Sequence, residues 1–167
     1  LTQKVGWPIS VAIRVGRQMM LRDSTHANSS LTFEHYYPGF TLPILDSASG
    51  KVSMAFAPDD DREMILRFMR VSQDIDLNYL ATAEVSLDVE RIRANGYAVQ
   101  GRNHFNLTPG KTSSIAVPIF KNGHFEAAMT MVFFIAAMKL SSALEQYLDD
   151  LKLTAAAISH DLSNAPA

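Results

Sequence analysis

A chain of 167 residues, 47% apolar and 19% charged, buries a real hydrophobic core within one domain, and with no Gly/Ser- or Pro-rich tract it leaves disorder only to the tail Asn164–Ala167. Its 15 Lys and Arg against 17 Asp and Glu give a formal charge of −2 with no basic run, which excludes a surface that grips nucleic-acid phosphates by itself. The absence of cysteine removes disulfides, thiolate nucleophiles and Cys-ligated zinc together, and makes a reducing cytoplasm the default compartment.

The chain opens on Leu1 rather than Met, and Leu1–Val5 has neither the basic region nor the apolar core of a signal peptide, so the expectation is a piece of a longer protein. After Trp7-Pro8, Ile9, Val11, Ile13 and Val15 alternate with Ser10, Ala12 and Arg14, the period of a half-buried strand. A turn at Gly16-Arg17 leads to a second strand, Gln18–Asp23, then a polar loop, Ser24–Ser30, and a short strand around Leu31–Glu34, an antiparallel meander. Tyr36–Thr41 reads as loop, and Leu42–Leu45 leads to Asp46-Ser47, good N-cap residues for a helix over Ser47–Phe56.

Ala57-Pro58 ends that helix, and Asp60 with Glu63 predicts a capping box for the next, whose apolar stripe is Met64, Ile65, Phe68 and Met69. A short helix near Leu87–Ala94 stops at Asn95-Gly96, followed by a strand Tyr97–Gln100 and a loop Gly101–Lys111. Ile115, Val117 and Ile119 mark one face of a strand, Asn122-Gly123 is a strong hairpin signal, and His124–Phe134 is the returning strand. The apolar run Ala127–Met138 is too short to cross a bilayer, so no membrane is involved. Leu140, Leu144, Tyr147, Leu151, Ala155, Ile158 and Leu162 recur at helical spacing, a long closing helix with Ser142 and Glu145 as its capping box. Strands, helices, strands and a helix in that order predict an α+β domain with an antiparallel sheet, over residues 1–167 as one unit.

Little of the side-chain chemistry points to catalysis. The histidines, His26, His35, His104, His124 and His160, lack metal-ligand spacing, no G-x-S-x-G or S-x-x-K pattern activates a serine, and no cofactor or metal is expected. Asp59-Asp60-Asp61 sits where acids complement a helix N-terminus, and two glycosylation sequons carry no meaning without a secretion signal. The feature that stands out is Asp46-Ser47-Ala48-Ser49-Gly50-Lys51, a small-residue helix start whose free N–H groups suit either an anion or close packing on a sheet.

Pro43, Ser47-Ala48-Ser49-Gly50-Lys51 and Ala55-Phe56, then Arg91–Ala98, then Ser114–Ile119, resemble in order the signature blocks of the effector domains of IclR-family bacterial transcriptional regulators, from Arg14 to Leu162. Asp23–His26, Leu42–Leu45 and Met131–Met138 resemble members that regulate aromatic-acid catabolism. The resemblance implies a GAF- or profilin-like antiparallel sheet flanked by helices, residues 1–6 as the end of a linker helix, and an N-terminal winged helix-turn-helix absent here, through which alone DNA would be bound. It also implies a homodimer or homotetramer and a small organic acid effector held by Ala48, Ser49, Gln100, Ser114, Thr130 and Val132, with Leu31 and Glu34 on the other wall. Arg102 or His104 would add charge. Alternatives are a sensor of a small aliphatic carboxylate, a small α+β enzyme acting on an organic acid, and a dimerisation module with a vestigial pocket.

Overall fold

The computed structural model describes residues 1–29, 36–71, 87–102 and 110–165. A one-turn helix α1 (Thr2–Val5) precedes strands β1 (Ile9–Val15) and β2 (Gln18–Ser24), a 3-10 turn at His26–Asn28 and a short β3 (Thr41–Pro43). Helices α2 (Ala48–Phe56), α3 (Asp59–Arg70) and α4 (Val89–Asn95) follow, then β4 (Ala98–Gln100), β5 (Thr112–Lys121), β6 (His124–Phe134) and the closing helix α5 (Leu140–Asn164). Among the described residues the strands form one antiparallel sheet in the order β3-β2-β1-β6-β5-β4. The expected α+β domain with a long C-terminal helix is the one found. The strand expected at Leu31–Glu34 lies outside the described residues, as do the last two residues of the expected disordered tail, which otherwise begins at the end of α5.

Two apolar layers sandwich this sheet. On one face Ile115, Val117 and Met131 meet Trp7 and α5 through Ala143, Leu151 and Ala155. On the other, α2 lies over the alanines Ala12, Ala98, Ala116 and Ala128, all at most 4% exposed. Residues this small let the helix backbone come close to the strands, and the burial of both layers is the main stabilising term. β1 therefore differs from the half-buried strand that its alternation predicts. Ser10 and Ala12 face α2 and are as buried as Ile9, because the small residues of the "polar" register meet a helix rather than water.

The Asn122-Gly123 hairpin adopts φ of 51° and 81°, the left-handed pair that a two-residue turn demands. Its strands are tied to α5, since the Phe120 and Asn122 amides donate to Ser159 Oγ (2.8 Å) and Ser163 Oγ (3.0 Å). Neither expected capping box forms. Pro58 takes the N-cap of α3, so Asp60 and Glu63 both fall inside the helix, and Lys139 takes that of α5, which begins before Ser142. The apolar stripe of α3 is also rotated from expectation: Ile65, Leu66 and Met69 are buried, while Met64 and Phe68 are 61% and 59% exposed.

Candidate ligand site at the N-terminus of α2

Helix α2 is held at both ends. At its start Ser47 caps it, accepting the Gly50 N–H at 3.1 Å while donating to the Pro43 carbonyl at 2.9 Å. At its end Arg93 donates to the carbonyls of Ala55 (2.6 Å) and Ala57 (3.3 Å), and Arg62 donates to those of Met54 and Ala57, which satisfies acceptors the helix leaves unpaired. Asp59 accepts from both guanidiniums, at 2.8 Å from Arg62 and 3.0 Å from Arg93, and those hydrogen bonds hold its carboxyl below the usual carboxylate range. Gly50 is required by packing: a Cβ there would stand 1.8 Å from the Ile44 carbonyl oxygen. Burial lowers the Lys51 pKa, with the charge of Asp46 opposing and that of Arg91 assisting.

The alanine floor beneath α2 gives way to hydroxyls at the helix start. The registers Ser10 with Thr130, Ala116 with Thr130, and Ser114 with Val132 put these side chains on the α2 face of adjacent strands. There Ser10, Ser47, Ser49, Ser114 and Thr130 line one small cavity together with Ala48, Tyr36 and an apolar wall of Leu21, Leu42 and Val132. The Lys51 N–H bonds Ser47 O and the Gly50 N–H bonds Ser47 Oγ, which leaves the amides of Ala48 and Ser49 without an acceptor among the described residues. Ser49 Oγ donates to Ser47 Oγ at 3.3 Å. Thr130 Oγ1 is buried and has no hydrogen-bond partner among the described residues, although a buried hydroxyl left unpaired costs about 1–3 kcal/mol. Free space in the cavity is about 10 Å³, enough for roughly one water.

Five of the residues expected to hold an effector, Ala48, Ser49, Ser114, Thr130 and Val132, thus converge on one cavity. Gln100 stands opposite Ser114 on the same sheet face, but it is not part of the cavity wall; its Oε1 is buried without a partner among the described residues. Leu31, Glu34 and His104 lie outside the described residues, and Arg102 is exposed, with φ of 53°. Sequence reasoning missed Ser10, Ser47 as a wall rather than only a cap, and Tyr36. For Ser10 a signal existed: a serine and an alanine alternating with large apolar residues mark a face too small to be plain core.

Tyr36 belongs to no helix or strand, and its ring stacks on His26 at 4.8 Å and 11°. Burial pulls the His26 pKa from 6.5 to about 4, so the ring is neutral at physiological pH, and its Nδ1 is hydrogen-bonded to Ser24 Oγ. Among the described residues no three His, Asp or Glu side chains cluster as a metal site, and no helix is long and apolar enough to cross a membrane.

A hydroxyl-lined hollow between an antiparallel sheet and a helix N-terminus, with a long helix closing the other face, marks this as an α+β domain of the sheet-and-helix sensor architecture. The sequence matches the family described as bacterial transcriptional regulator IclR C-terminal over residues 1–160, and the chain belongs to that family as its C-terminal, effector-binding domain. Solved structures share the fold. A transcriptional regulator, RHA06195, from Rhodococcus sp. RHA1 superposes with a TM-score of 0.81 at 22% identity, covering 97% of this chain and 64% of that one. The IclR protein of Thermotoga maritima gives 0.76 at 22% identity, covering 97% and 64%. A double mutant of the PobR inducer-binding domain from Acinetobacter, in complex with 3-hydroxybenzoic acid, gives 0.74 at 16% identity, covering 95% and 90%. This chain therefore spans about 64% of the length of the first two.

Proposed function

We propose that the chain senses a small organic acid, an aromatic carboxylate before an aliphatic one, and through it governs operator binding by a helix-turn-helix domain that these residues do not include. The observation that carries this reading is Thr130 Oγ1, a buried hydroxyl with no partner among the described residues, on the wall that also includes Ala48 and Ser49, whose amides have no acceptor among the described residues. Two helix N-terminal amides and a hydroxyl suit a carboxylate, and Leu21, Leu42 and Val132 suit its apolar body. Among the described residues no histidine, carboxylate or amine side chain is part of the wall, which favours binding over turnover. The 3-hydroxybenzoic acid held by the PobR domain supports the aromatic choice. The same reading makes the protein a cytoplasmic homo-oligomer, the usual form of such regulators.

The cavity is far smaller than the ~300–1,000 Å³ of ordinary ligand pockets, so the acid must part its walls, and Tyr36, outside any regular element, is the part that yields. The test is calorimetry with 3-hydroxybenzoate and with succinate on the parent and on Ser49→Asp. An added carboxylate beside the ligand's own should abolish binding of whichever acid binds, and because Ser49 is 2% exposed, a thermal melt must first show that the variant is folded. Unchanged affinity in Ser49→Asp would refute the placement of the anion at this helix.

A further inference from the structure

We propose that Ser114 and Gln100 form a second polar subsite beside the cavity, which takes a neutral hydroxyl, so that the ligand is a hydroxylated monocarboxylate rather than a plain acid or a diacid. This rests on the organic-acid reading above and deepens it by naming what the far end of the acid carries. A ligand larger than the hollow of about 10 Å³ has to extend along the sheet, and the register fixes what it meets. Thr130 pairs with Ala116 and Val132 with Ser114, so Ser114 is the diagonal neighbour of Thr130, about 7–8 Å away, a distance at which one ring separates two polar groups. Gln100 stands directly opposite Ser114 on β4, on the same face.

Hydrogen-bond valence decides the second group. Gln100 Oε1 is buried with no partner among the described residues, while its Nε2 donates to the Gly101 carbonyl at 3.4 Å, and Ser113 Oγ donates to the Gln100 backbone carbonyl at 3.0 Å, which ties this residue to β5. The orphan is therefore an acceptor, and it calls for a donor. A carbonyl or an ether would bring lone pairs against it, and a second carboxylate would bring a charge as well. Among the described residues the cavity wall carries no cationic side chain, so the N-terminus of α2, equivalent to about half a positive charge, balances one carboxylate and not two. A hydroxyl fits because it donates to Gln100 Oε1 and accepts from the hydroxyl of Ser114, a residue only 4% exposed.

Calorimetry of the whole chain with benzoate, 3-hydroxybenzoate, 4-hydroxybenzoate and isophthalate tests this, with thermal melts showing that each variant is folded. One of the two hydroxybenzoates should bind about tenfold tighter than benzoate or better, because a site that hydrogen-bonds a hydroxyl rejects the analogue lacking it, and isophthalate should fall short of that hydroxybenzoate by a similar factor. Gln100→Met, which keeps the length and removes the acceptor, and Ser114→Ala should each bring the ratio of hydroxybenzoate to benzoate affinity close to one. A parent ratio near one, a ratio that either variant leaves unchanged, or isophthalate as tight as the hydroxybenzoates overturns the hydroxyl subsite while leaving the acid reading in place. Succinate bound where no aromatic acid binds has the same meaning, and no binding of any of these acids overturns both.

Discussion

Gly50→Ala separates a backbone requirement from a ligand requirement at the same signature position. In an exposed helix interior the substitution stabilises by about 0.5–1 kcal/mol, because alanine loses less conformational freedom. Here the new methyl would lie 1.8 Å from the Ile44 oxygen, 2.5 Å from its carbonyl carbon and 2.7 Å from its Cα, all backbone atoms that no rotamer change can remove. α2 must then lift off Ile44, itself fully buried, and away from the alanine floor. Overpacking costs about 1–3 kcal/mol, which exceeds the propensity gain, so the net loss should be about 1–2 kcal/mol. For a chain of this length that lowers the melting temperature by about 2–8 °C, read by differential scanning calorimetry with no ligand present. A variant as stable as the parent, or more stable, would show that the approach to Ile44 is not what the glycine serves.

Two further outcomes follow from the same geometry. Thr130→Val keeps the side-chain shape and removes a hydroxyl that has no partner, so urea unfolding should show stability unchanged or raised by about 1 kcal/mol while affinity for the bound acid falls about tenfold; lower stability with full affinity would place the hydroxyl outside the site. His26 stays neutral in the folded chain down to about pH 4, whereas the unfolded ring takes its proton near 6.5, so the unfolded state binds more protons between those values and stability falls as pH drops through them, by at most about 3 kcal/mol. Urea unfolding at pH 7 and pH 4.5 should show a smaller loss for His26→Gln than for the parent; equal losses would refute that assignment.

Elements with a strong local period were legible: β1, the Asn122-Gly123 hairpin and α5 stand where their patterns put them. What the pattern missed depends on contacts between distant segments. β3 is three residues long and exists only because β2 offers it an edge. The capping boxes failed because Pro58 and Lys139 claimed the N-cap positions first, so acids and serines that fit the spacing fell one turn too deep. The helical period groups Met64 and Phe68 with Ile65 and Met69 in one apolar stripe, and a 3.6-residue period cannot say which edge of that stripe turns inward. In the site, family likeness led to Ala48, Ser49, Ser114, Thr130 and Val132, whereas the alternation of Ser10 with Ile9 and Val11 marks only its face, and its neighbour Thr130 is set by the register between distant strands.

The same structure explains why the signature mixes two kinds of residue. Gly50 and Arg93 fix where α2 lies, one by admitting the Ile44 carbonyl and the other by closing the far end of the helix. Ala48, Ser49 and Ser114 form the hollow that this placement leaves over the sheet. Under the proposed function, the smallness of that hollow is the basis of sensing. A pocket already open to its ligand would be filled without moving anything, and a ligand shifts an equilibrium only by its preference for one conformation over another. A space of about 10 Å³ admits an acid only if a wall is displaced, and Tyr36 is stacked on His26, next to Thr25, whose hydroxyl bonds the Ile9 backbone and shares a 2.6 Å hydrogen bond with Thr2 of α1. Under that reading, displacing Tyr36 is the motion that would reach His26 and, through the neighbouring Thr25, the hydrogen bond to Thr2 that holds the start of the chain against β1.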